Sequence, residues 1–160
     1  MKNKTTKVAP FQIIGISVKT TNENGQAGND IGALFERFMS EGLLEKIPNK
    51  VDNTLYSLYT EYEGDHTKPY TAILGCKVKN LETIPEGMIG KSFDGGKYMK
   101  FTSSGDLTKG FVYGEWLKIW DMDLNRTYTV DFEAYGAKAQ NPTDAEIDIF
   151  VGISNLNTYD

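Results

Sequence analysis

At 160 residues, with a formal net charge of −5 and a sequence pI near 5.0, the chain suits one domain and carries no basic field to attract a phosphate backbone. An apolar fraction of 39% with 12% aromatic residues excludes disorder, and 16 glycines with 5 prolines mark many turns. The start "MKNKTTKVAP" has positive charges without an apolar run behind them, and no later stretch approaches 18 apolar residues, which predicts a cytoplasmic protein without signal peptide or membrane span.

The first predicted strand is "FQIIGISVK", β-branched and apolar. Only ten residues precede it and about seven follow the last strand, so no helix-turn-helix reader is expected at either end, and no direct contact with nucleic acid. An Asn/Asp/Gly-rich loop leads to Asp30, the expected N-cap of a helix. Ile31, Leu34, Phe35 and Phe38 recur there at helical spacing, continue through Leu43, Leu44 and Ile47, and stop at Pro48. Two strands follow, "TLYSLYTEYEG" and "YTAILGCKV", joined by a turn with Gly64, Asp65 and Pro69.

The stretch "IPEGMIGKSFDGG" reads as a linker. The second half opens with the strand "KYMKFTSSG", and Asp106 caps a helix from Leu107 to about Asp121 that carries Phe111, Trp116, Leu117 and Trp120. The strands "TYTVDFEAYG" and "AEIDIFVGI" complete it. Both halves thus run strand, helix, strand, strand, and "TEYEG" (60–64) lies on "FEAYG" (132–136), which sets Glu61 on Glu133. The expectation is an internal duplication, with repeats at about 10–80 and 95–153 in a single 160-residue domain.

Duplicated units of this kind predict an α+β fold, a curved antiparallel sheet with pseudo-twofold symmetry and two helices on one face, and a groove where the halves meet. Tyr70, Ala72, Leu74, Cys76 and Val78 form one apolar strand face, and Ala145, Ile147, Ile149, Val151 and Ile153 another. With these under the helices, the opposite face is expected to hold Tyr59, Glu61, Asp131, Glu133, Tyr135, Ile73, Asp148 and Phe150. A plain solvent face holds lysines and threonines, so this half-aromatic, half-acidic mixture marks a candidate site.

The stretches "GGKYMKFTSSG", "GEWLKIW", "DFEAYG" and "AEIDIFVGI" together resemble the GyrI-like domain, the effector-binding domain of AraC-type and related bacterial regulators. The resemblance covers nearly the whole chain, and "LYTEYEGDHTKPYTAILGCKV" is similar to the stand-alone branch that includes integron cassette effector-binding proteins. It implies a small-molecule pocket between the halves with a glutamate at its base and aromatic walls, which in many relatives takes cationic, lipophilic compounds. By match to the strand motif that glutamate is Glu133, and Trp116, Tyr98, Tyr59, Tyr135 and Phe150 are the candidate walls. Any signal would pass to a separate regulator protein. The same resemblance implies two alternatives: hydrolysis of electrophilic cyclopropane-type compounds by Glu133 and Glu61, and capture of DNA gyrase.

Physical chemistry supports a cation independently, because a carboxylate desolvated among rings favours a positive partner and ring faces add about 0.5 to 2 kcal/mol per cation–π contact. Other constellations fail. "DMDLN" begins like a calcium loop, but Arg126 stands where the turn glycine belongs. His66, the single histidine, has no companions for a metal or a nucleophilic triad, and Gly95–Gly96 opens a strand rather than a phosphate-binding helix. No metal and no cofactor are expected, and Cys76, the single cysteine, reads as a buried inert thiol.

Overall fold

The computed structural model describes residues 1–154. Its strands are β1 (Lys2–Val8), β2 (Phe11–Thr20), β3 (Leu55–Thr60), β4 (Tyr70–Val78), β5 (Ile89–Phe93), β6 (Gly96–Gly105), β7 (Arg126–Tyr135) and β8 (Ala145–Ile153). The helices are α1 (Gln26–Ser40), the single turn α2 (Leu43–Lys46) and α3 (Phe111–Trp120). All strands join one antiparallel sheet in the order β1-β6-β8-β7-β3-β4-β2-β5. Its inner six are palindromic: β2-α1-β3-β4 and β6-α3-β7-β8 meet along the β3–β7 seam, as the repeated element order predicts.

Two strands lie where none was expected. The opening "KNKTTKV" has no apolar face and forms β1 because the free edge of β6 supplies its hydrogen bonds; the expected linker supplies β5 on β2. These pairings share one unbroken register, from Lys2↔Thr102 through Phe11↔Phe93 to Gly15↔Ile89. A single two-stranded ribbon therefore carries both outer edges of the sheet. It bends where Gly95 takes φ 77°, a position at which a Cβ would lie 2.3 Å from the Val8 carbonyl oxygen.

The two predicted apolar strand faces do pack under the helices. Leu34 and Phe38 of α1 cover Ile14, Ile16, Leu74, Cys76 and Val78, and Trp116 and Ile119 of α3 cover Phe101, Ile147, Ile149 and Val151. Cys76 is fully enclosed, and burial pushes its thiol up to about 11, as an inert core residue requires. Away from the helices, the sheet buries a second core of Ile13, Leu58, Ile73, Phe93, Tyr98 and Phe132.

Helix boundaries differ from expectation at both N-termini. Asp30 is not a cap: α1 begins four residues earlier, after Gly25 at φ 72°, and Asp30 instead accepts from Thr20 Oγ1 at 2.7 Å and Gln26 Nε2 at 3.0 Å. A periodic apolar stretch does not reveal a start made of polar residues. Asp106 does cap, accepting from the Thr108 amide at 2.9 Å, but the capped turn is a short 3₁₀ segment, and Gly110 at φ 73° then leads into α3.

Candidate ligand-binding site

Helix α1 packs on β2 and β4 and helix α3 on β6 and β8, so the β3–β7 seam lies in the gap between them, into which Phe35 and Trp116 reach. A cavity of about 1060 Å³ occupies that gap. Its floor is Tyr59, Glu133 and Tyr135 and one wall is Trp116, while Ile31, Phe35 and Gly32 face it from α1. The α1 side carries three glycines, Gly25, Gly28 and Gly32, and a Cβ at any of them would meet nothing within 4 Å. Omitting side chains from this helix face keeps the cavity wide. Glycine in a helix interior costs stability, and Gly28 and Gly32 are the sequence signal that periodicity passed over.

Glu133 is 3% exposed. Its carboxylate accepts from Tyr59 Oη at 2.8 Å, Trp116 Nε1 at 2.7 Å and Tyr135 Oη at 2.5 Å. Because Tyr59 donates to Glu133, the 2.8 Å contact between the Ser57 and Tyr59 hydroxyls must have Ser57 as donor, which orients both hydroxyls. Burial drives the Glu133 pKa above the usual carboxylate range, and the three donors partly oppose it. The Tyr59 and Tyr135 hydroxyls are pushed well above their ordinary value, by burial first and the Glu133 charge second, so both remain protonated donors. All three donors to Glu133 are neutral groups.

The structure places Glu133, Tyr59, Tyr135 and Trp116 together, and the three strand residues among them lie on the helix side of the sheet and not on the opposite face expected for them. Register decides this. Ser57 pairs with both Leu74 and Glu133, and Glu133 pairs with Ile149, so Glu133 shares a side with the apolar residues beneath the helices. Tyr59, opposite Ala72 and Asp131, follows the same rule. The alternation within each strand is as read; the phase between neighbouring strands differs.

Tyr98, Phe150 and Glu61 lie elsewhere. Tyr98 is 4% exposed in the second core, 5.5 Å from Phe132 between ring centroids, and Phe150 stacks on Phe132 at 4.6 Å beside a smaller cleft of about 370 Å³. Glu61 follows the end of β3 at φ 53°, exposed, and accepts from Thr71 Oγ1 at 2.8 Å and from Lys91. It does not line the cavity. The superposition of "TEYEG" on "FEAYG" therefore does not bring two glutamates to one bound molecule. Among the described residues, no three His, Cys, Asp or Glu side chains are grouped to hold a metal ion, and no helix is long and apolar enough to cross a membrane.

The far end of the cavity was not legible as a site. Arg126 ion-pairs with the fully buried Asp131 at 2.7 Å, and Asp131 also accepts from Tyr62 Oη at 2.5 Å and the Gly152 amide at 2.8 Å. His66 lies flat on Trp120, 4.9 Å apart at 8°. Burial, then the Arg126 charge, lowers its pKa. A four-residue irregularity in β7 (residues 127–130) between Arg126 and Asp131, with Tyr128 at φ 54°, brings Arg126 to the cavity wall.

Residues 5–153 match the family of integron-associated effector binding proteins. The chain belongs to that family. Among curated proteins, this effector-binding chain is 27% identical over 143 residues, covering 87% of itself and 89% of the other, to the "Putative transcriptional regulator protein YobU" of Bacillus subtilis. In fold it is similar to an integron cassette protein from the mobile metagenome of Vibrio cholerae (TM-score 0.73, 24% identity, 95% of each chain). It is equally similar to SAV2435, whose structure is bound to tetraphenylphosphonium (TM-score 0.74, 17% identity, 98% of this chain and 96% of that one). The α+β class and the curved single sheet of this effector-binding chain are those of these relatives.

Proposed function

We propose that this protein is a small-molecule receptor that takes a lipophilic cation into the cavity above the β3–β7 seam, with Glu133 as the charge at its base and Tyr59, Trp116 and Tyr135 as its walls. The observation that carries this reading is a carboxylate 3% exposed whose three hydrogen-bond partners are all neutral. Such a group carries a desolvation cost that a bound cation offsets, while a neutral or anionic guest leaves it in place. The surrounding rings add cation–π attraction and apolar area, and a cavity of about 1060 Å³ accommodates several aromatic rings. A relative bound to tetraphenylphosphonium and a relative named as a transcriptional regulator support the ligand class and a signalling role, with a separate regulator protein as the listener.

Thermal unfolding with tetraphenylphosphonium tests the reading on the wild type and on Glu133→Gln. At 100 times its dissociation constant a ligand adds about 2.7 kcal/mol, which raises Tm by roughly 5–10 °C for a chain of this size. The variant should shift by no more than about a third as much at the same concentration, since losing the charged partner weakens binding roughly 30-fold or more. An unmoved wild type, or an equal shift in both proteins, would refute the proposal.

A further inference from the structure

Arg126 presents a problem that the cation reading leaves unsolved. Its side chain is 5% exposed and lines the cavity, yet only Nη2 has an acceptor, Asp131. Nε and Nη1 are buried with no hydrogen-bond partner among the described residues. The guanidinium lies over the ring of Tyr128 at 4.3 Å and that of Trp116 at 5.8 Å, which offers it π-faces but no lone pair. Asp131 is already supplied by Tyr62 and the Gly152 amide as well as by Arg126. Nδ1 of His66, on the same cavity wall, is likewise buried without a partner. Buried polar atoms, and the donors of a guanidinium above all, are rarely left unmet, and those beside a cavity point to a partner that arrives with the guest.

We propose that the cavity has a second polar subsite, formed by Arg126 and His66, that binds an acceptor oxygen of the ligand, with a carboxylate as the strongest case. The ligand class is then an aromatic cation that also bears an acceptor, and not a purely hydrocarbon cation. Trp116 joins the two ends: its indole nitrogen donates to Glu133 and its ring face receives the Arg126 guanidinium. A guest lying along this indole presents its positive charge to Glu133 and its acceptor to Arg126. The subsite rests on the cation reading above, and the experiment separates the two.

Three probes are compared by quenching of Trp116 and Trp120, the two tryptophans of the chain, both of which line the cavity. They are tetraphenylphosphonium, (4-carboxyphenyl)triphenylphosphonium and the methyl ester of the latter. In the wild type the carboxylate should bind about ten-fold more tightly than tetraphenylphosphonium, as a charge-assisted hydrogen bond in a dry site provides, with the ester, a neutral acceptor, between the two. Arg126→Met combined with Asp131→Asn removes the pair without stranding a charge. It should bind all three probes alike, without the carboxylate preference of the wild type. Arg126→Lys, which keeps a cation beside Asp131 but lacks the fork of N–H donors, is the second variant and should lose most of the carboxylate preference.

Glu133→Gln should weaken all three probes by the same factor. A wild type that binds the probes with no carboxylate preference overturns the subsite and leaves the cation receptor standing. A preference that survives in both Arg126 variants also overturns it. Failure of every probe to bind overturns the receptor reading and the subsite together.

Discussion

Gly32 of α1 is where stability and binding should move in opposite directions. It sits in the helix interior, exposed to the cavity, and a Cβ built there meets no atom within 4 Å. Gly32→Ala therefore adds helix propensity without a clash, about 1 kcal/mol. For a domain of this size that is a rise of roughly 2–4 °C in Tm. Gly32→Leu keeps most of the propensity gain and places three more carbons than Ala in the cavity that Gly32 lines. The apo protein should remain at least as stable as wild type. A guest, however, must then overpack the site at a cost of about 1–3 kcal/mol, so tetraphenylphosphonium should bind roughly 5- to 150-fold more weakly. Urea unfolding gives the first quantity and tryptophan quenching the second. A Leu variant that binds as tightly as wild type would remove this face of α1 from the binding site. An Ala variant less stable than wild type would refute the claim that the helix omits side chains to keep space.

Glu133 should also leave a signature in the pH dependence of stability. Its folded pKa is raised, so the folded protein holds the proton more tightly than the unfolded chain. The Glu133 contribution is therefore fully present below the unfolded carboxyl pKa and is lost as pH rises through the folded pKa. Urea unfolding from pH 4 to 8 should show this decline in the wild type and not in Glu133→Gln, and parallel profiles would sink the assignment. At the other carboxylates the contrast is one of burial. Asp131→Ala leaves the Arg126 charge buried without its partner and should cost about 3–5 kcal/mol. Glu61→Gln touches an exposed ion pair with Lys91 and should change stability by less than about 0.5 kcal/mol and leave probe binding unaltered. A large loss of binding in Glu61→Gln would restore it to the site.

Local signals explain what could be read in advance. The strand–helix–strand–strand repeat, the apolar faces of β4 and β8 and the capping role of Asp106 depend on periodicity and short-range hydrogen bonding, which neighbouring residues specify. The β1 strand escaped because its stability comes from the edge of β6, some hundred residues away, and "KNKTTKV" contains no apolar pattern of its own. The motif singles out Glu133 as a candidate, and of the residues expected beside it Tyr59, Tyr135 and Trp116 touch it in the fold whereas Tyr98, Phe150 and Glu61 do not.

By itself, then, the sequence determined the α+β class and the repeated strand–helix–strand–strand order, which follow from patterns within single elements, while a family motif singled out Glu133 as the candidate. Only the tertiary structure decided which side of the sheet Glu133 occupies. Strand alternation fixes sides within one strand, whereas the register of Ser57 against Leu74 and Glu133 fixes them between strands, and a phase error of one residue exchanges the faces. That pairing took Tyr98 and Phe150 out of the cavity and left Glu61 at a solvent-exposed turn, while the irregular start of β7 brought Arg126 to the cavity wall that His66 also lines. Contacts made across the fold by residues about 60 positions apart have no local trace in the chain.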